Sequence, residues 1–184
     1  MQETWLRTNR RILLLGMILP GVLVLGGLIV AATTQATAIA WLSYLGFAVS
    51  AAGLVLFGML VPQMTRPRLA YSKGEVLVYL RSGRPFRVPV ENVECFFLGA
   101  GVGQLPGVAG KEIPLRNLVM RLAEKATDYQ HREVKPAFGR WADGYVILHG
   151  AWCEPLNLEV VRRLNARLAE VQRLQQEMVR ASVG

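Results

Sequence analysis

The sequence has no Asp, Glu, Lys, Arg or His between Arg11 and Arg66. Leu, Val, Ile, Ala and Gly dominate this interval, so a helix formed from it lacks the polar face that a soluble helix needs. A single helix of that length would measure about 80 Å, whereas the hydrocarbon core of a bilayer is about 30 Å thick. We therefore predict two transmembrane helices, at about 12–32 and 36–61, joined at the polar residues 33–37.

The lack of ionisable residues inside these spans argues against a proton relay, an ion site or a transport pathway. Small residues, among them Gly46, Ser50 and Gly53, would let helices approach closely in lipid. They either pack the hairpin against itself or form a contact face for another membrane subunit. Trp5, Trp41 and Tyr44 are interpreted as aromatic anchors near the membrane interfaces.

Basic residues flank the two spans and are missing from the turn between them, which predicts that both termini are cytoplasmic. A cleaved signal peptide is the alternative, although an apolar run of about twenty residues exceeds the usual length of about 7 to 15. The predicted organisation is a cytoplasmic N-terminal segment at 1–11, a transmembrane hairpin at 12–65 and one cytoplasmic domain at 66–184.

The chain is also poor in the residues from which catalytic and metal sites are built. It has two cysteines, Cys95 and Cys153, which we expect to be free thiols in a reducing compartment. They do not form the close ligand pairs of a metal site with His131 and His149, and no nucleophile lies beside a base. We expect no enzyme activity, no metal and no cofactor.

The glycine-rich stretch Gly99 to Gly103 lacks the Lys-Ser/Thr pair of a phosphate-binding loop. We interpret 99–114 as an inserted loop that contacts a partner or the membrane. Nucleic-acid binding is not expected, because acidic residues interrupt the basic ones and the basic residues face a membrane.

The second part of the chain contains runs of β-forming residues separated by turn-forming residues. Near its end, the spacing of the apolar residues changes to one that is typical of a helix. The predicted strands are near 68–71, 75–80, 84–90, 93–98, 117–123, 128–134 and 145–149. From about 156 to 180, apolar residues recur every three or four positions, which predicts an amphipathic C-terminal helix.

Seven short strands and one helix after two membrane spans resemble the bacterial pleckstrin-homology-like membrane proteins. The resemblance rests on Pro67-Arg68-Leu69 at the exit of the second span, on Glu75-Val76-Leu77-Val78, and on the segment Arg87 to Val93. It implies an α+β or all-β domain, in which a bent antiparallel barrel is capped by the terminal helix. It also implies a bacterial inner membrane location and a scaffold or assembly role without catalysis.

Two functions follow as hypotheses. In the first, the chain is a noncatalytic membrane-anchored scaffold, or an accessory or assembly subunit of a larger membrane complex. Its candidate partner contacts are Gly46, Ser50, Gly53, Val102, Leu105, Val108, Leu174 and Met178. In the second, the domain senses anionic lipid, since basic residues near an anionic leaflet each contribute about 1 kcal/mol. Its candidate headgroup contacts are Arg66, Arg68, Lys73, Arg81, Arg84 and Arg87.

Overall fold

The computed structural model describes residues 2–34, 40–81, 83–103 and 113–183. The chain divides into two compact units. The helical unit is Asn9–Arg66, and the globular unit combines Met1–Thr8 with Pro67–Gly184. The N-terminal residues, which the sequence placed in a separate segment, therefore belong to the globular unit.

The helical unit consists of α1 (Arg10–Thr34) and α2 (Ala40–Thr65). Both are long and apolar enough to cross a membrane, and only 17% of the residues in the most apolar window of each are buried. A core helix of a soluble protein would hide most of its apolar side chains, whereas residues such as Leu15, Leu25 and Leu54 are exposed. The structure confirms the prediction of two membrane-length apolar helices.

Small residues lie where α1 and α2 touch. A Cβ on Gly27 would come within 2.5 Å of the Gly46 carbonyl oxygen, and a Cβ on Gly53 within 3.0 Å of the Pro20 carbonyl oxygen. The Ser50 hydroxyl donates a hydrogen bond to the Val24 carbonyl at 3.0 Å. Close packing between helices therefore depends on these positions.

The globular unit contains two four-stranded antiparallel sheets, in the orders β1-β2-β3-β4 and β5-β6-β8-β7. No strand pairing among the described residues closes them into a barrel. The strands are β1 (Glu3–Leu6), β2 (Leu69–Ser72), β3 (Glu75–Val78), β4 (Phe86–Pro89), β5 (Val93–Gly103), β6 (Ile113–Leu122), β7 (Gly139–Ala142) and β8 (Tyr145–Leu148).

Two tight turns follow from local sequence. Lys73-Gly74 joins β2 to β3 and Asp143-Gly144 joins β7 to β8, and all four residues have positive φ. Two-residue hairpin turns of this kind match the twist of the strands and favour Gly at the second position.

The helix α3 (Leu158–Val183) packs on the sheets through an apolar face. Asn157, directly before the helix, is its N-cap residue. The side-chain oxygen of Asn157 accepts a hydrogen bond from the Val160 amide at 2.8 Å. Leu164, Leu168 and Val171 are buried in the common core, which also contains Phe96 and Met120. Val171 is the last buried apolar residue of the helix among those described.

Three expectations about the globular unit are corrected. Trp5 is not an interfacial anchor, because it lies in β1, is 4% exposed and stacks on Tyr71 at 5.4 Å. The segment 128–134 forms no strand, and a short 3-10 helix at Thr127–Tyr129 occupies its start. The interval 99–114, predicted to be an inserted loop, is strand at both ends, because β5 continues to Gly103 and β6 begins at Ile113. In addition, the strands β1 and β7 were not predicted.

Candidate functional site

The two ends of the first sheet differ in their connection to the helical unit. At one end β1 finishes with Leu6 and β2 begins with Leu69, and these two residues are paired. The chain leaves the globular unit after Thr8 and returns at Pro67, so we call this the attachment end. The opposite or far end carries the Lys73-Gly74 turn and Pro89, the last residue of β4. Four paired residues separate the ends in β2 and β3, about 13 Å at 3.3 Å per residue.

The candidate headgroup contacts are divided between these ends. Arg81 and Arg84 are exposed in the β3–β4 connection, which lies at the attachment end, and Arg66 closes the helical unit next to Pro67. Lys73 is exposed at the far end. Arg87 is exposed on β4 and forms an ion pair with Glu75 at 3.5 Å. The five candidate residues of the globular unit do not form one surface.

Arg81 is held in a defined orientation within this connection. Its Nε donates to the Arg84 carbonyl at 3.0 Å, and its guanidinium lies 4.6 Å from the centre of the Phe86 ring. A guanidinium over an aromatic face retains its charge and its outward donors. Within the globular unit, Arg81 and Arg84 are thus the part of the predicted basic set that remains accessible at the attachment end.

Arg68 is not available to lipid, because its side chain is 5% exposed. Its Nε donates to the Trp152 carbonyl at 3.2 Å, and Nη1 lies 3.5 Å from the Tyr79 carbonyl. The guanidinium also lies 4.6 Å from the centre of the Phe138 ring and 5.8 Å from that of Trp152. Burial lowers the pKa of Arg68 below its usual value. Arg68 is a structural cation that links β2 and β3 to the segment before α3.

A hydrogen-bonded junction holds the two chain segments that lead to the helical unit. The Glu154 amide donates to the Arg7 carbonyl at 2.9 Å, and Thr8 forms an isolated antiparallel bridge with Cys153. The Arg68 amide donates to the Leu6 carbonyl at 2.8 Å. The segment around 152–154 therefore contacts both the outgoing and the returning chain.

The hairpin of β5 and β6 extends beyond its own sheet. β8 pairs only with Leu118 to Arg121 of β6, whereas β5 pairs with β6 as far as Gly103 and Ile113. Five residue pairs, from Gly99 with Asn117 to Gly103 with Ile113, therefore form a two-stranded ribbon. At its base, the Asn117 side-chain oxygen accepts a hydrogen bond from the Gly150 amide at 3.2 Å. Gly150 begins the short 3-10 helix Gly150–Trp152, which leads into the junction.

The candidate partner contacts occupy different environments. Gly46, Ser50 and Gly53 lie between α1 and α2, as the self-packing interpretation expects. Val102 is in β5, within the ribbon, and Leu105 and Val108 lie outside the described residues. Leu174 and Met178 are 46% and 64% exposed, on the part of α3 that continues past its last buried residue.

Two polar residues on α3, not singled out in the sequence, fix the helix to the sheets. Asn165 accepts a hydrogen bond from the Phe96 amide and donates one to the Phe96 carbonyl, both at 2.8 Å. Gln172 donates to the carbonyls of Val90 and Val93 at 3.0 and 2.8 Å. Asn165 and Gln172 are seven residues apart and therefore lie on one side of the helix. This spacing is the feature of the sequence that could have identified them.

Ion pairs add to this attachment at the edge of β1. Arg167 bonds both carboxylate oxygens of Glu3, at 2.8 and 3.0 Å, and also pairs with Glu170. The hydrogen bond from Arg167 is the main cause that lowers the pKa of Glu3. The pair joins the first strand to the last helix, although its partial exposure limits its contribution to stability.

In the described part of the chain, no group of three His, Cys, Asp or Glu side chains is arranged to hold a metal ion. Cys95 and Cys153 are free thiols. Burial raises the pKa of the Cys153 thiol to about 12, so it stays protonated near neutral pH and is a poor nucleophile. Comparison of the chain with protein-family models, curated proteins and solved structures gives no match.

Proposed function

We propose that the chain is a noncatalytic membrane-anchored scaffold, acting as an accessory or assembly subunit of a larger membrane protein complex. The observation that carries this proposal is the apolar end of α3. Leu174, Met178 and Val179 are 46%, 64% and 57% exposed, at positions that continue the apolar side of the helix beyond the sheets. Exposed contiguous apolar surface of this kind is typical of protein interaction sites.

A groove beside these residues is the proposed binding site for a segment of a partner protein. Its volume is about 440 Å³, and it lies between the 3-10 helix Val90–Asn92 and the last turns of α3. Lys125, Arg180 and Glu91 line it together with three glutamines, which supply hydrogen-bond donors and acceptors. The groove is at the far end of the globular unit, since Val90 directly follows Pro89.

We assign the globular unit to the cytoplasmic side as a pleckstrin-homology-like domain of the bacterial inner membrane. Pairing of β1 with β2 supports a common side for both ends of the hairpin, because adjacent strands of one sheet lead into α1 and out of α2. The basic flanks Arg7, Arg10, Arg11 and Arg66 support the cytoplasmic side. Two antiparallel sheets around one core, with α3 packed on them, are compatible with the barrel that the resemblance implies.

Replacing Leu174 and Met178 together by Glu is expected to remove most copurifying membrane-complex subunits. Both side chains are exposed, so the fold should persist while the apolar contact is lost. Quantitative mass spectrometry of the tagged full-length protein, solubilised from native membranes in mild detergent, measures the change. The control Ala169→Glu/Arg162→Gln shifts the net charge equally at exposed positions of α3. Wild-type protein that purifies alone, or an unchanged partner set in the double variant, would refute the proposal.

A second function, contact with anionic lipid, is favoured by the exposure of Arg81 and Arg84 at the attachment end. Reversing both to Glu is expected to lower the enrichment of anionic lipid around the protein about thirtyfold, because two basic residues at about 1 kcal/mol each contribute about 2 kcal/mol. The enrichment is measured by lipid mass spectrometry of full-length protein in nanodiscs of mixed zwitterionic and anionic lipid. Lys73→Glu, at the far end, is the control. Equal enrichment in both variants would argue against lipid sensing.

A further inference from the structure

The groove at the far end contains a hydrogen-bond acceptor that no described residue satisfies. Gln175 is half-buried on α3, and its side-chain oxygen Oε1 is buried and receives no hydrogen bond within the described part of the chain. An unpaired buried amide oxygen is unfavourable, so such atoms in native proteins nearly always have a donor. Because Gln175 lines the groove, this acceptor is available to an occupant of the groove.

The second glutamine of the groove floor differs in this respect. Gln172 uses its side-chain nitrogen to bond the carbonyls of Val90 and Val93, so it serves the fold. The nearest chain to the amide of Gln175 is the β2–β3 turn, where a Cβ at Gly74 would lie 3.4 Å from both its Oε1 and its Nε2. Gly74 has no side chain that could supply the missing donor.

The walls of the groove are fixed by hydrogen bonds. One wall is the 3-10 helix Val90–Asn92, and another is the chain after β6 that carries Lys125. The Ala123 amide donates to the Asn92 carbonyl at 2.8 Å, which joins these two walls. The third wall is the end of α3, which the bonds of Gln172 attach to the same 3-10 helix. The groove is therefore formed before any occupant arrives, as most ligand sites are.

The rim of the groove carries more positive than negative charge. Lys125 and Arg180 are exposed there, and Glu91 is the one acidic residue among the described residues that line it. None of these three residues forms an ion pair with another described residue. Charge complementarity favours an occupant with an acidic side chain, and Val179 offers an apolar contact beside it.

We propose that the groove binds an extended acidic segment of a partner protein. A main-chain N–H of the segment donates to Oε1 of Gln175, and an acidic side chain lies beside Lys125 and Arg180. A free anion would satisfy the two cations but brings no donor for Gln175, whereas a peptide supplies both groups. The volume of about 440 Å³ is in the range of sites that enclose a small ligand. The inference rests on the proposed scaffold function and specifies the chemistry of the segment that the scaffold holds.

Binding of two labelled peptides to the full-length protein in mild detergent tests the inference. One fluorescein-labelled peptide alternates Glu and Leu, and the other alternates Lys and Leu. Fluorescence anisotropy should show binding of the Glu peptide at least about tenfold tighter, with a Kd that rises with salt. Lys125→Gln/Arg180→Gln should raise this Kd about tenfold. The control Arg140→Gln/Arg162→Gln removes the same charge at exposed positions outside the groove and should leave the Kd unchanged.

The variant Gln175→Leu separates binding from folding. We expect its Kd for the Glu peptide to rise about fivefold, because the peptide N–H loses its acceptor. The urea midpoint of the free protein should stay the same or increase, since the variant removes an unpaired buried oxygen. A lower midpoint with an unchanged Kd would show that Gln175 supports the fold and would overturn its role as a contact.

Two results would overturn the acidic-segment inference as a whole. One is equal or absent binding of the Glu and Lys peptides, and the other is the same Kd for Lys125→Gln/Arg180→Gln and its control. If wild-type protein still copurifies with membrane-complex subunits in that case, the scaffold function stands and its partner binds elsewhere. Wild-type protein that purifies alone would refute the scaffold function itself.

Discussion

Replacement of Arg68 by Ala is expected to lower the free energy of unfolding of the globular unit by about 3 kcal/mol or more. The change removes the donors to the carbonyls of Trp152 and Tyr79 and leaves both acceptors without these bonds. It also opens a cavity between the rings of Phe138 and Trp152, against which the guanidinium is stacked. Removal of the guanidinium also relieves the desolvation that lowers the pKa of Arg68, and this gain offsets part of these losses.

Urea unfolding of the full-length protein in mild detergent, followed by tryptophan fluorescence, measures this effect. Trp5, Trp141 and Trp152 all lie in the globular unit. Arg84→Ala, at an exposed position, should change the midpoint little, by about 0.5 kcal/mol or less. Arg68→Lys should be intermediate, because an ammonium keeps the charge but not the planar fork that bonds and stacks. Equal midpoints for Arg68→Ala and Arg84→Ala would show that Arg68 does not support the fold.

Features encoded within a few residues could be read from the sequence. The apolar spans lack charge over their whole length, and the turns at Lys73-Gly74 and Asp143-Gly144 carry a glycine at the required position. The terminal helix is indicated by the regular spacing of its apolar residues, and in the structure it extends from Leu158 to Val183. In each case the signal and the structure it specifies occupy the same short stretch of chain.

Features that depend on distant partners could not be read in this way. β1 is four residues long, and its partner β2 follows only after the whole helical unit, so no local alternation reveals it. Trp5 before an apolar span is typical of an interfacial anchor, and only the pairing with β2 places it against Tyr71. The segment 128–134 has β-forming residues, but its chain bonds to Leu80 through Lys135 instead of joining a sheet.

The candidate site shows the same division. Its basic residues were all identifiable by composition, but Arg68, next to a membrane span, has the same appearance in sequence as Arg66. Arg68, Arg81 and Arg84 all lie at the attachment end, and Arg81 and Arg84 are exposed there. Arg68 is buried because the distant residues Phe138 and Trp152 cover only Arg68. One strand of the ribbon was visible as a glycine-rich interval, whereas its attachment to Gly150 required the register of β6 and the fold of the segment before α3.

Replacement of Asn165 by Leu is expected to lower the free energy of unfolding by about 2 to 4 kcal/mol. The side chain of Asn165 bonds both the amide and the carbonyl of Phe96, on the edge strand β5, at 2.8 Å each. Phe96 is 2% exposed, so water cannot easily replace the lost donor and acceptor. Leucine has a similar volume, which keeps the packing change small and isolates the hydrogen-bonding term.

Gln176→Leu, exposed on the same helix, is the matched control and should change the midpoint by about 0.5 kcal/mol or less. Gln172→Leu should resemble Asn165→Leu, because it removes the donor to the carbonyls of Val90 and Val93. If Asn165→Leu instead unfolds at the same urea concentration as Gln176→Leu, the apolar face of α3 alone holds the helix on the sheets. Loss of stability in both Asn165→Leu and Gln172→Leu, with Gln176→Leu unchanged, would identify the edge of β5 and the 3-10 helix Val90–Asn92 as the points that fix the position of α3.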